Sequence, residues 1–205
     1  MGQRTVTDPG TVQSSEQKTS ASPYSLLKWS VFATEVGWCG LLGRDHTVSR
    51  LCMGHHSRRD VHEALQRFSA DEAHTATDEI EEADWYPALR ERLQDYFQGA
   101  RVDFEDIALD LPPMTAFQTG VIRALQKVGY GEQITYGELA RKAGSPRAAR
   151  AVGTVMAGNR IPVLIPCHRV VASGGKLGGF SAPQGTSLKA HLLQLESRGF
   201  DETGN

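Results

Sequence analysis

The stretch IPVLIPCHRVV, residues 161–171, sets a thiol, an imidazole and a guanidinium side by side behind two prolines. A cysteine made partly thiolate is a strong nucleophile, and a histidine within reach, directly or through one water, can take its proton. Cys167 is therefore the first candidate for a covalent step, and His168 for its base. A second account fits the same residues: free cysteine is among the most buried side chains and ordinarily packs as a small hydrophobe. His168 and Arg169 weigh against it, because both are poor core residues. If the run is a strand, as its apolar character suggests, neighbours point to opposite faces, and a water must bridge Cys167 to His168.

Such a pair needs a fold to hold it. The chain has 205 residues, 40% of them hydrophobic, enough for one large domain or two small ones with a real core. Its three cysteines, Cys39, Cys52 and Cys167, are odd in number and irregularly spaced, which suits free thiols in a reducing cytosol. No charged-then-apolar leader opens the chain, and no run approaches the roughly 18 apolar residues of a membrane span. A cytoplasmic protein with no membrane partner is expected.

Residues 1–22 are rich in Ser, Thr, Gln and Gly and read as a disordered tail. YSLLKWSVFATEVGWCGLLG and HTVSRLCMG then read as strands with turns at Gly37 and at Gly43-Arg44-Asp45. DVHEALQRF and WYPALRERLQDYFQG have helical spacing, the latter with Leu89, Leu93 and Phe97 four residues apart. The acidic DEAHTATDEIEEADW between them reads as an exposed linker, and IALDL from Ile107 as a returning strand. Pro112-Pro113 marks a boundary, since tandem prolines end both strands and helices. The expected division is an N-terminal α/β domain over 23–111, a C-terminal domain over 112–200 and a short tail over 201–205.

Beyond the boundary, Thr115 and Gln118 fit a capping box ahead of a helix bearing Phe117, Val121 and Leu125, closed by Gly129 and Gly131. ITYGELARKAG and PRAARAVGTVMAGN predict two more helices around the turn Gly144-Ser145-Pro146, a helix-turn-helix pattern. Ala148, Ala149, Ala151 and Gly153 would let the second helix approach a nucleic-acid backbone, or equally pack against a neighbouring helix. Charge favours the former. Residues 120–190 hold ten basic side chains against two acidic ones, although the whole chain carries −2. A basic half beside an acidic one points to a polyanionic partner.

The motifs ITYGELA, SPRAARAVG, the GN ahead of the cysteine, IPCHRVV, GGFS and LLQLE, in that order over about residues 114–196, resemble the O6-alkylguanine-DNA alkyltransferases, the methylated-DNA–protein-cysteine S-methyltransferases. The resemblance implies an α/β (α+β) protein with an N-terminal ribonuclease-H-like sheet-and-helix domain and a C-terminal, mostly helical, winged helix-turn-helix-like domain. It implies DNA repair on double-stranded DNA containing O6-alkylguanine. The alkyl group passes irreversibly to Cys167 in a single turnover, after base flipping, by a monomer without a cofactor. His168 is then the base, Glu196 the carboxylate orienting it, and Asn159 the residue bracing the turn near the cysteine. Tyr136 crowds the phosphate and donates to the departing guanine. Arg150 fills the space the flipped base leaves, with Ala148, Ala149, Gly153 and Arg147 on the DNA-facing helix. The Val170 carbonyl, Gly178, Phe180 and Ser181 shape the lesion pocket.

Phe180 stands where some relatives have tyrosine, which removes one hydrogen bond and leaves open the preferred alkyl size and activity on O4-methylthymine. Some relatives also carry zinc. Here Cys39, Cys52, His55 and His56 match no standard ligand spacing, so buried thiols and no metal are expected. Two other readings remain: an alkyltransferase-like protein that binds lesions without reacting, which Cys167 disfavours, and a thiol-sensing helix-turn-helix transcription regulator.

Overall fold

The computed structural model describes residues 26–71 and 80–201. The expected tail over 1–22, residues 202–205 and most of the acidic linker lie outside them. Three apolar segments form an antiparallel meander: β1 (Leu27–Thr34), β2 (Gly37–Arg44) and β3 (Thr47–His55). The turn between β2 and β3 falls on Asp45-His46 rather than on Gly43-Arg44-Asp45. Both residues have positive φ, 47° and 60°, as a two-residue hairpin matched to the strand twist demands.

After β3 the chain crosses over through α1 (Arg58–Asp71) to β4 (Ile80–Glu82), parallel to β1. Part of the expected linker is therefore an edge strand. Then come α2 (Pro87–Phe97) and β5 (Ala108–Leu109), the returning strand, parallel to β3. The sheet order is β4-β1-β2-β3-β5. Helix α1 covers one face with Val61, Ala64 and Leu65 against Leu27, Leu42 and Cys52. It comes close because Gly40 has no side chain: a Cβ there would lie 2.5 Å from Val61 Cγ1.

The other face, through Phe32, Leu41, Leu51 and Met53, shares one continuous core with α2 and with the helical half of the chain. That half begins after the prolines with α3 (Ala116–Leu125), capped by Thr115 and Gln118 as expected. Helix α3 stops at Leu125, ahead of Gly129 and Gly131. Two residues, β6 (Ile134–Thr135), lead into α4 (Tyr136–Lys142), which has its own Thr135–Glu138 capping box. The turn at Gly144 (φ 77°) opens to α5 (Ala149–Ala157), and α4 packs on both α3 and α5.

The apolar run from Ile161 is not a strand. Pro162 and Pro166 have no N–H to offer a ladder. The segment instead folds back on itself, with Ile165 N–H on the Ile161 carbonyl at 2.9 Å and Val163 held at φ 72°. Cys167–Arg169 is a 3₁₀ turn, and only Val170–Val171 (β7) pairs, parallel to β6. The chain ends in α6 (Gly185–Asp201). Among the described residues no helix is long and apolar enough to cross a membrane.

Cys39 and Cys52 are buried in the sheet. Among the described residues no group of three or more metal-ligating side chains comes together. Burial raises the Cys39 thiol to about 11 and the Cys52 thiol, which also lies near Cys39, to about 12. The native state therefore holds these protons after the unfolded chain has released them. Their contribution to stability is intact below about pH 8.5 and is lost as pH rises toward the folded values. Thermal midpoints should fall steadily above about pH 9, and more shallowly in Cys39→Ala; an equal slope in that variant would show that other groups govern alkaline unfolding.

Candidate active site

Cys167 opens the 3₁₀ turn and is only 6% exposed, yet it lines a pocket of about 540 Å³. Met156, Asn159, Pro162, Phe180 and Ser181 line the helical side of this pocket, and Cys52 and His55 reach it from the sheet. Asn159 braces the turn. Its Nδ2 donates to the Ile165 carbonyl at 2.9 Å, and its Oδ1 accepts from Ile161 N–H at 3.1 Å. Burial pushes the Cys167 thiol above its ordinary value, while the Asn159 side chain and the Lys189 charge pull it back. The resting thiol is thus protonated at neutral pH and needs a base.

His168 follows in the same turn and is wholly buried. In a 3₁₀ turn successive side chains point about 120° apart. The separation of thiol and imidazole expected from a strand thus arises from a different backbone. His168 Nε2 lies 2.8 Å from Glu196 Oε1, whereas Nδ1 makes no hydrogen bond to protein. Burial lowers the His168 pKa, outweighing the pull of Glu196 upward, so the imidazole is neutral at pH 7.

Glu196 is buried on α6. Burial alone would raise its pKa, but hydrogen bonds and charge from His168 and Arg169 hold the carboxyl far below the usual carboxylate range. Arg169 grips it through Nε and Nη2, both at 2.9 Å, and Nη1 donates to the Val128 carbonyl at 2.6 Å. Gly131 N–H reaches Oε2 at 3.1 Å, which gives that glycine a use beyond ending a helix.

Tyr136, at the start of α4, lies within the field of Cys167. Burial and that neighbouring charge both raise its pKa, so its hydroxyl stays a donor. A Cβ on Gly178 would collide with Tyr136 Oη, so a larger residue there must displace the tyrosine or the loop. The Val170 carbonyl accepts from the buried Lys189 Nζ at 2.6 Å. Ser181 Oγ donates to the Ala157 carbonyl at 3.1 Å, pinning the pocket loop to the end of α5. Ala148, Ala149 and Gly153 are half-buried, and Arg147 and Arg150 are exposed near the start of α5.

A family model described as "6-O-methylguanine DNA methyltransferase, DNA binding domain" matches residues 116–198. A constitutive methylated-DNA–protein-cysteine methyltransferase of Bacillus subtilis is 32% identical over 170 residues, covering 82% of this chain and 94% of that protein. The chain belongs to the methylated-DNA–protein-cysteine methyltransferase family. A Methanosarcina acetivorans member is 40% identical over 57% of this chain and 72% of its own length. The crystal structure of Mycobacterium tuberculosis OGT in complex with DNA superposes with a TM-score of 0.66 at 30% identity, covering 84% of this chain and 94% of that one.

The methyltransferase motifs account for Cys167, His168, Asn159, Tyr136 and Glu196 meeting around one turn, but three side chains in the cluster were not read as site residues. Arg169 and Lys189 are buried cations, and Tyr96 brings a phenol from α2. The signal for Lys189 is its spacing from Glu196: seven residues, two helical turns, on the apolar face marked by Leu188 and Leu192. Arg169 depends on Glu196 for its countercharge. Glu196→Gln leaves that guanidinium uncompensated in the interior and should cost roughly 3–5 kcal/mol. Urea unfolding measures this, and a loss below about 1 kcal/mol would show that the pair is solvated.

Proposed function

We propose that this chain repairs double-stranded DNA as a cytoplasmic monomer, taking the alkyl group of O6-alkylguanine irreversibly onto Cys167. The observation that carries the reading is a nearly buried thiol that still lines a pocket, beside an imidazole held by a buried carboxylate. The division at residues 23–111 and 112–200 fits this, the first part backing the second.

A base inside a duplex is out of reach, so the lesion must rotate out of the stack, at a cost of a few kcal/mol. Helix α5 presents exposed Arg147 and Arg150 beside half-buried Ala149 and Gly153, a surface suited to lying in a minor groove with Arg150 in the vacated space. Readout there rests on backbone and shape, as a repair protein needs.

In the pocket, His168 Nδ1 takes the Cys167 proton through one water, and the Glu196 carboxylate stabilises the resulting imidazolium. Lys189, whose charge favours the thiolate, supports the same step. The sulfur attacks the alkyl carbon, the S–C bond forms as the C–O6 bond breaks, and the electron pair moves to the guanine. Tyr136 Oη donates to the departing base, which then leaves neutral, and the tyrosine is reprotonated from the imidazolium side through solvent. The product thioether has no comparable leaving path, so each molecule acts once. Lesion recognition falls to Phe180, Ser181, Gly178 and the Val170 carbonyl, and no cofactor takes part.

Lesion binding without reaction is the weaker reading, because the acceptor is present and the relatives bear the methyltransferase name. Intact mass spectrometry after mixing with an oligonucleotide bearing one O6-methylguanine should show a gain of one methyl group. Cys167→Ala should show none, and an unmodified wild-type chain would return the binding reading. Arg150→Ala should slow reaction with duplex far more than with free O6-benzylguanine; equal losses would remove the base-extrusion role. Gly178→Ala, which displaces Tyr136 or the loop, should slow transfer about 10- to 100-fold on either substrate. An unchanged rate would mean that the placement of the tyrosine is unimportant.

A further inference from the structure

Tyr96 lies on α2, in the half of the chain that carries the sheet, and is wholly buried. Its ring meets Phe97, Phe104 and Tyr130 edge-on. Its hydroxyl donates to Glu196 Oε1 at 2.7 Å and lies 3.3 Å from His168 Nε2. The same Oε1 is 2.8 Å from that Nε2.

A phenol has one proton. With it directed at the carboxylate, only oxygen lone pairs, from Tyr96 and from Glu196, face Nε2. An unprotonated Nε2 would meet two electron-rich oxygens with nothing to share, so Nε2 carries the hydrogen. Nδ1 is then the basic nitrogen, and it is the one without a protein partner.

We infer that Tyr96 is a positioning residue for alkyl transfer: from the sheet-bearing half it locks Glu196 and His168 in the tautomer whose Nδ1 can accept the Cys167 proton. The inference rests on the repair reading above and adds a required contribution from outside the helical half. Tyr96 acts through Glu196 and His168 and touches neither the thiol nor the lesion.

The charged and titratable groups around His168 are Glu196 and Lys189 on α6, Arg169 and Cys167 in its own turn, and Tyr96 on α2, with Tyr130 behind Tyr96. Arg169 and Lys189 disfavour the imidazolium, and Glu196 favours it. The Tyr96 hydrogen bond draws charge away from Oε1 and weakens that last effect. Removing the hydroxyl returns the full carboxylate charge to the imidazole, so His168 protonates at a higher pH and is lost as a base sooner on acidification.

The test is the single-turnover rate of methyl uptake from an O6-methylguanine oligonucleotide, followed by intact mass across pH 5 to 9. In wild type the rate should rise with pH through the titration of His168. In Tyr96→Phe the acid limb should move up by about one pH unit, with a smaller effect on the plateau. Tyr130→Phe, which removes a phenol from the same aromatic cluster, should leave the limb in place. A Tyr96→Phe profile that superposes on wild type, a slowing equal at every pH, or the same displacement in Tyr130→Phe would each overturn the inference.

Should Tyr96→Phe fail to fold, imidazole ¹⁵N chemical shifts of the wild-type protein still test the tautomer on which the inference depends. A protonated Nε2 with a free Nδ1 is expected, and the opposite tautomer overturns it. A wild-type chain that takes up no methyl group overturns the repair reading instead, while the imidazole shifts still report on the His168 tautomer.

Discussion

The carboxylate of Glu196 is where the molecule is bolted together. It has no contact with solvent, and a bare carboxylate in that position would cost several kcal/mol. What makes it tolerable is a full set of donors: Arg169 through two nitrogens, His168, Tyr96 and the Gly131 N–H. They come from α2, from the loop after α3 and from the 3₁₀ turn, and the carboxylate itself stands on α6. The ion that orients the imidazole is also a cross-link between the sheet-bearing and helical halves. A half-satisfied network of this kind is worse than an apolar core, so each donor is constrained by the others.

Around Cys167 the balance is different. Burial favours the thiol, while Asn159 and the Lys189 charge favour the thiolate, and burial prevails. Thiolate is the form that oxidants and stray electrophiles attack. An acceptor that reacts once therefore gains from staying protonated until a carbon electrophile sits in the pocket beside an available base. In the repair reading the neutral, buried His168 would supply that base without needing a permanently ionised sulfur.

Much of this was legible in the chain, for reasons that can be named. The Thr115 capping box is a local pattern with a local cause, and the structure contains it. The meander, its crossover helix and the strand from Ile107 follow from periodicity and turn residues close in sequence. The thiol and imidazole were marked by type, and the remaining site residues by the order of motifs. What the sequence leaves hidden depends on contacts between residues far apart along the chain. The run from Ile161 reads as a strand by composition, but its prolines and the Asn159 brace make it a tight turn. Tyr96 lies on the same helical face as Leu93 and Phe97 and looks like one more aromatic in an apolar stripe. Only the fold brings its hydroxyl to a carboxylate 100 residues away.

Tyr136 shows how shape can do what a hydrogen-bond network does at Glu196. The bare backbone of Gly178 lies against its hydroxyl, so that a single added methyl would clash. A Cβ on Gly153 of α5 would sit 4.0 Å from its Cε1, and the Lys189 ammonium lies 5.9 Å from the ring centroid. The backbone at its own position is fixed by the Thr135 cap and by the β6–β7 pairing, which ties Thr135 to Val171, four residues after the thiol. The ring thus lies between α5, the Gly178 loop and the buried lysine. In the repair reading a flipped base would meet a tyrosine already held in place, because a ring flanked on three sides has little rotamer freedom left to lose. Of the two glycines, Gly178 is the one that leaves room for the hydroxyl.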